Sequence, residues 1–475
     1  MRTIHGGDVW QGGAPEEYLD FSANLNPEGP PDWVRAAMAE GVSSTADMNP
    51  ILLKPTSDRK SQVVVLGKPI GAMSAMEYQN YKPRLRAMVK ETFDGLAARF
   101  DTVVIEGAGS PAEINLKEGD LVTMWMAKAA DAPVLLVGDI DRGGVFAALY
   151  GTVMLLEEDE RRRVKGLIIN KFRGDIAILE PGLRMIEEKL GIPVLGVVPW
   201  TDADIEDEDS VSDRLAARSG VGAVRVVVVR LRHLSNFTDF QALSLHPDVT
   251  LSYARRPADL RDADVIILPG TKNTIDDLID LKNRDMLAPI VRHARAGRLL
   301  IGVCGGYQML GQSLRDAQGV ESAARETAGL GLLDMTVDFH PEKHTAQTAG
   351  VIADAADWLA PLADTRIAGY EIHSGTNTFG PGARFWMTPG DAAGSSGACN
   401  ARGNVLGTYL HGLFDDGVLA DAIVQRARAL KGLPGASGGS VDMNAYREAQ
   451  FDKLADVARA SLDMDRIYAI MRGEA

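Results

Sequence analysis

The chain has 475 residues, 45% apolar and 24% charged, enough for two or three domains with full-sized cores. A formal net charge of -15 with only 6% aromatic residues argues against a nucleic-acid groove. No apolar run reaches membrane-spanning length, and Met1 to Trp10 lacks the apolar core of a signal peptide. Two cysteines, Cys304 and Cys399, cannot build a disulfide framework, so a reducing cytoplasm is the expected compartment.

Residues 1–42 are too few for a core of their own and are expected to pack as an arm or stay mobile. Residues 43–201 alternate apolar strands with helical lengths. The strands end in polar or glycine-rich turns: Glu106-Gly107-Ala108-Gly109, Gly138 to Gly144, Asn170-Lys171-Phe172-Arg173-Gly174 and Pro199-Trp200. That pattern predicts an α/β domain with a parallel sheet covered on both faces and ligands beyond the carboxyl ends of its strands. Residues 202–221 open with an acidic run, Asp202 to Asp209, read as a solvated linker. A second parallel-sheet α/β domain is expected over 222–420. A helical tail over 421–475 places Tyr446, Phe451, Leu454 and Ala458 on one face.

The second domain holds the most telling stretch. Leu299 to Val303 is a buried strand that stops at Cys304, and Gly305-Gly306 follow before a short helix. Glycines there permit a sharp strand-to-helix turn that exposes the sulfur at the sheet edge beside free backbone N–H groups. Such groups favour a thiolate and can hold an oxyanion. The alternative is a buried cysteine acting as a small hydrophobe. Among the eight histidines, His411 is best placed as the base, since it ends a strand-like run before Gly412. Gly270, ending another strand in Pro269-Gly270-Thr271-Lys272-Asn273, can offer a second N–H beside that of Gly305. His340 and His344 have i, i+4 spacing but no third partner at metal-site spacing, and read as an exposed loop. His373, in Gly369-Tyr370-Glu371-Ile372-His373-Ser374-Gly375, suits a structural or a substrate-contact role.

Together the cysteine elbow, Leu268 to Thr274, Gly369 to Gly375 and Tyr409-Leu410-His411-Gly412-Leu413-Phe414 resemble the glutaminase domain of the cobyric acid synthase family. The resemblance extends to Asp47 to Pro55, Glu106 to Glu113 and Gly138 to Gly144, whose domain is similar to dethiobiotin synthetase. It implies a glutamine- and ATP-dependent ligase that amidates peripheral carboxylates of adenosylcobyrinic a,c-diamide, with Cys304 as nucleophile and His411 as acid and base. It further implies Mg²⁺ at Glu106, nucleotide contacts from Asn170 and Lys171, and substrate contacts from Asp139, Asp141 and Arg142. Neither nucleic acid nor membrane is an implied partner, and oligomeric state has no signature in the sequence. Cobyrinate a,c-diamide synthase is the nearest enzymatic rival.

Two departures stand out. Class I glutaminases usually place a glutamate two residues after the histidine, where this chain has Leu413, so the acid orienting His411 is unassigned. No Gly-x-x-x-x-Gly-Lys-Ser/Thr phosphate loop occurs; Gly67-Lys68 is followed by Pro69. In its expected place stand His5-Gly6-Gly7-Asp8 and Leu19 to Pro27, which resemble the N-terminus of threonine-phosphate decarboxylase without its cofactor lysine. The first domain is therefore expected to be a P-loop-type fold without its loop. A glutaminase lacking ligase activity, or an inactive relic, is the alternative expectation.

Overall fold

A computed structural model describes residues 18–20, 48–57, 60–107, 109–205, 220–322, 324–353, 357–436 and 438–474. The expected arm lies outside them apart from 18–20, as does the acidic run from Glu206 on. The chain divides into two compact units, Met1–Ile205 with Arg447–Ala475, and Glu206–Tyr446.

In the first unit, β1 (Tyr18–Asp20) pairs in parallel with a strand at Thr102–Val104. Between them β2 (Ile51–Ser57), β3 (Lys60–Val65) and β4 (Lys68–Ser74) form an antiparallel meander, where strand–helix alternation was expected. The reason is local. Leu66 and Gly67 both take positive φ, 46° and 75°, and so close a two-residue hairpin. Gly67-Lys68 is thus a hairpin turn. Ser74 then caps α1 (Ala75–Ala97) in a capping box with Glu77.

After β5 (Thr102–Val104) and α2 (Met124–Ala129), the expected parallel sheet appears. β6 (Val134–Asp139), β7 (Val164–Phe172) and β8 (Val194–Pro199) align with α3 (Val145–Leu155) and α4 (Ile176–Leu190) between them in the chain. Leu167 and Ile169 bury against Leu149, Val153 and Ile186 on one face. Ile168, Leu195 and Val198 bury against Ile467 and Ile470 on the other.

The second unit holds one eleven-stranded sheet. Its parallel part, in the order β10 (Val249–Ala254), β9 (Val224–Val229), β11 (Val265–Leu268), β12 (Leu299–Val303) and β19 (Val405–Thr408), is mostly apolar, β11 and β12 entirely so. Strands buried on both faces have that composition. Between β9 and β12 in the chain lie α5 (Gln241–Leu245), α6 (Thr274–Asn283) and α7 (Leu287–Arg295), and α8 (Gly305–Met309) follows β12. Beyond β19 the sheet turns mostly antiparallel through β18 (Gly397–Cys399), β17 (Arg384–Pro389) and β15 (Met335–Ile352). It ends in β13 (Ser313–Arg315) and β14 (Glu326–Ala328), while β16 (Arg366–Phe379) pairs with β15. The domain is therefore α/β with a mixed sheet. The stretch from His340 to His344 is strand, not loop.

The tail is shared between the units. α9 (Val418–Leu430) buries Leu419, Ile423 and Val424 in the second core. Residues from Arg447 through α10 (Met443–Ser461) and α11 (Met464–Met471) belong to the first unit.

Candidate active site

The chain passes from β9 to β10 on one side of the sheet and then to β11 on the other, so loops diverge at the carboxyl end of β9. Such a switch point leaves a crevice at the strand ends. Four strand ends contribute to it: Asn236 and Asp239 after β9, Gly270 after β11, Cys304 after β12 and His411 after β19.

Cys304 has φ 51° and ψ -112°, a backbone region that a side-chain-bearing residue adopts only when its surroundings enforce it. The enforcement comes from the glycines. A Cβ at Gly306 would stand 2.0 Å from the Leu268 carbonyl oxygen, and one at Gly305 would stand 2.5 Å from Thr271 Cγ2. The elbow read from the sequence is present, with the sulfur 3.5 Å from the Ile372 carbonyl oxygen. The Cys304 sulfur is also close enough to the His411 ring to raise its pKa. Gly270 adjoins that ring, since a Cβ there would lie 3.1 Å from His411 Cε1.

His411 is fully buried. Its Nδ1 stands 2.7 Å from Asp239 Oδ2, and the other Asp239 oxygen accepts the Gly412 N–H at 3.2 Å. Asn236 Nδ2 is 3.0 Å from each ring nitrogen. Tyr370 stacks on the ring at 4.9 Å and exchanges backbone hydrogen bonds with His411. Burial alone disfavours the imidazolium, but the Asp239 carboxylate and the Cys304 sulfur outweigh it and push the His411 pKa up to about 10.

Asp239 is the acid that sequence reasoning left unassigned. It lies on a 3-10 turn, Phe237–Phe240, and is 1% exposed. Leu413, where a glutamate was looked for, is core instead. A polar pair, Asn236 and Asp239, just beyond the strand Val224–Val229 was the available signal. His373 stacks on Tyr409 at 3.7 Å beside this pocket. Tyr409 in turn contacts Gln308 and Asn377.

In the first unit the ends of β6 and β7 bring together Asp139, Asp141, Asn170 and Lys171. Lys171 Nζ is 2.8 Å from Asp139 Oδ2, and Arg173 Nε is 3.2 Å from Asp141 Oδ1. The Lys171 ammonium, aided by the nearby Arg142 charge, holds the Asp139 carboxyl below its ordinary value. This ion pair joins a residue expected at the nucleotide to one expected at the substrate. Arg173 also stacks over Trp200 at 4.1 Å. Glu106 follows β5, which pairs with β1 and not with β6.

Residues 225–418 match the CobB/CobQ-like glutamine amidotransferase domain, and residues 40–207 match an AAA domain. A cobyric acid synthase of Photorhabdus laumondii subsp. laumondii is 47% identical over 444 residues, 92% of this chain and 86% of that protein. The chain belongs to the cobyric acid synthase family. A second family member, the cobyric acid synthase of Citrobacter koseri, is 47% identical over 441 residues, 92% of this chain and 87% of that one. PurLQS of Thermotoga maritima, a solved structure, aligns at 17% identity and a TM-score of 0.35 over 44% of this chain and 99% of that one, a likeness too slight to argue from. As a member of the cobyric acid synthase family with this domain, the chain is a glutamine amidotransferase. No helix among the described residues is long and apolar enough to cross a membrane.

Proposed function

We propose that the chain acts as a cobyric acid synthase, hydrolysing L-glutamine at Cys304 and delivering the ammonia to carboxylates of adenosylcobyrinic a,c-diamide. The series Cys304–His411–Asp239 at the ends of parallel strands, with the sulfur raising the His411 pKa and Asp239 bonded to Nδ1, carries the reading. The sulfur attacks the carboxamide carbon of glutamine, and the oxyanion is received by backbone N–H groups of Gly305 and Gly270. His411 gives its proton to the departing nitrogen, the C–N bond breaks, and ammonia leaves a thioester on Cys304. Water, deprotonated by His411, then attacks the thioester and releases glutamate. Asp239 keeps the ring oriented through both steps.

In the first unit Glu106 is the carboxylate that would hold magnesium, and Lys171 and Arg142 are cations suited to phosphate. When bound, Mg²⁺ and ATP supply the phosphoryl group that activates a substrate carboxylate. Asn170 and Lys171 would hold the nucleotide; Asp139, Asp141 and Arg142 would face the corrinoid. The missing Gly-x-x-x-x-Gly-Lys-Ser/Thr loop favours a second reading, a glutaminase uncoupled from amidation.

Purified protein supplied with glutamine, ATP, Mg²⁺ and adenosylcobyrinic a,c-diamide tests both. Glutamate release together with mass increments of the corrinoid supports the synthase. Glutamate release alone supports the uncoupled glutaminase. Glutamate release that survives Cys304→Ser overturns both.

A further inference from the structure

Two adjacent strands of the second unit carry three ligand-bearing side chains that the glutaminase reaction does not use. β15 and β16 run antiparallel, and their register sets His344 directly opposite His373. Glu371 precedes His373 by two residues, and alternate residues of a strand share a face. His344, Glu371 and His373 each offer a ligand atom within 4.8 Å of the others.

The hydrogen bonding around them leaves a gap. His373 Nδ1 lies 2.8 Å from the Gly375 carbonyl oxygen, which can only accept, so this nitrogen carries the ring proton. In the neutral ring its Nε2 then turns a lone pair toward Glu371 Oε2 at 3.4 Å, two acceptors face to face. A backbone carbonyl accepting from Nδ1–H, with Nε2 directed at a shared centre, is the usual arrangement of a metal-binding histidine. His344 Nε2 approaches the same carboxylate oxygen at 3.8 Å. It also contacts the Ala393 carbonyl oxygen at 2.9 Å, an exposed hydrogen bond that a ligand role would exchange. Glu371 is 1% exposed and anchored by the Ser395 N–H at 2.8 Å and hydroxyl at 2.7 Å.

We propose that His344, Glu371 and His373 bind a divalent transition ion of the zinc class. Two imidazoles and a carboxylate suit such an ion, with a fourth position open to water through the exposed side at His344. A proton on Nε2 of His373 would satisfy that ring alone; the third side chain makes the arrangement a three-sided site. Ile372, between two of the ligands, points its carbonyl at the Cys304 sulfur. An occupied site therefore stiffens the wall of the glutamine pocket.

The test is titration of the full chain with zinc chloride by calorimetry and with cobalt(II) by visible absorption. Both use the Cys304→Ser background, so that the nucleophile cannot take the metal. One equivalent bound, with cobalt d–d bands and more than about tenfold weaker binding in His344→Ala, is the expected result. His344 is exposed, and matching thermal unfolding of the metal-free proteins shows that the variant is folded. Binding unchanged by His344→Ala, or no binding of either ion, overturns the proposal.

Discussion

His411 Nδ1 sits 2.7 Å from Asp239 Oδ2, and the two residues come from loops 172 positions apart in the chain. Both are buried, and no other carboxylate accompanies the ring in its described hydrogen bonds. Asp239→Asn keeps the shape and removes the charge. Glutamine hydrolysis is expected to fall on the order of 10²–10⁴-fold in kcat, the range of a disabled general acid and base. The pH–rate profile should move as well. Burial, no longer opposed by Asp239, drives the imidazole pKa down, so the limb governed by His411 shifts to lower pH. A merely structural aspartate would lower activity without moving that limb.

The same pair makes a stability prediction with a definite sign. The His411 pKa is raised to about 10 from an ordinary 6.5, so the folded protein holds a proton that the unfolded chain releases. The contribution is complete below 6.5 and is lost as pH rises through about 10. Melting temperature of the wild type should therefore fall across that interval more steeply than that of Asp239→Asn. Scanning calorimetry at a series of pH values reads the difference, and parallel slopes would remove the coupling.

How much was legible from residues alone follows the range of the interactions. The cysteine elbow is a local device, three consecutive residues whose sterics are written in their side chains, and it stands as read. The buried parallel strands β9, β11 and β12 announce themselves as continuous apolar runs. Asp239 could not be found that way, because what makes it a partner of His411 is a fold that closes a 172-residue gap. The meander over β2 to β4 was missed for a different reason. Its turn uses Leu66 at positive φ, a conformation the residue type does not advertise. Glu371 and His373, the partners of His344, likewise lie across a strand pair, beyond any i, i+4 count. In the first unit the pairing of Asp139 with Lys171 and of Asp141 with Arg173 across β6 and β7 was not legible in the sequence.

The elbow's glycines differ in how much room they leave, and this orders two variants. A Cβ at Gly306 meets a backbone carbonyl, Leu268, at 2.0 Å, and backbone of a central strand cannot yield. At Gly305 the nearest atom is a side-chain methyl, Thr271 Cγ2, at 2.5 Å. Gly306→Ala should cost about 1–3 kcal/mol or more of stability, with the cysteine displaced and alkylation by a glutamine analogue lost. Gly305→Ala should be milder in denaturant melts. The reverse order would mean that α8 is not seated against β11 as described.

Glu321 offers a case in which removing a charge should strengthen the fold. Burial pushes its carboxyl up to about 7, against the Thr274 N–H, which it accepts at 2.7 Å. The nearby Asp316 carboxylate adds to the rise. With the folded pKa above the unfolded one, the folded state binds more protons, and stability declines as pH climbs from about 4.5 to about 7. Above that window the protein carries the full cost of a half-buried anion. Glu321→Gln retains an oxygen for the Thr274 N–H and has no charge to desolvate. Its melting temperature should exceed the wild type's at pH 8 and converge with it near pH 4.5, where the native carboxyl is itself protonated. Thermal denaturation of the two proteins at both pH values decides the matter, because a variant that is destabilised at pH 8 would show the Glu321 anion to be favourably held.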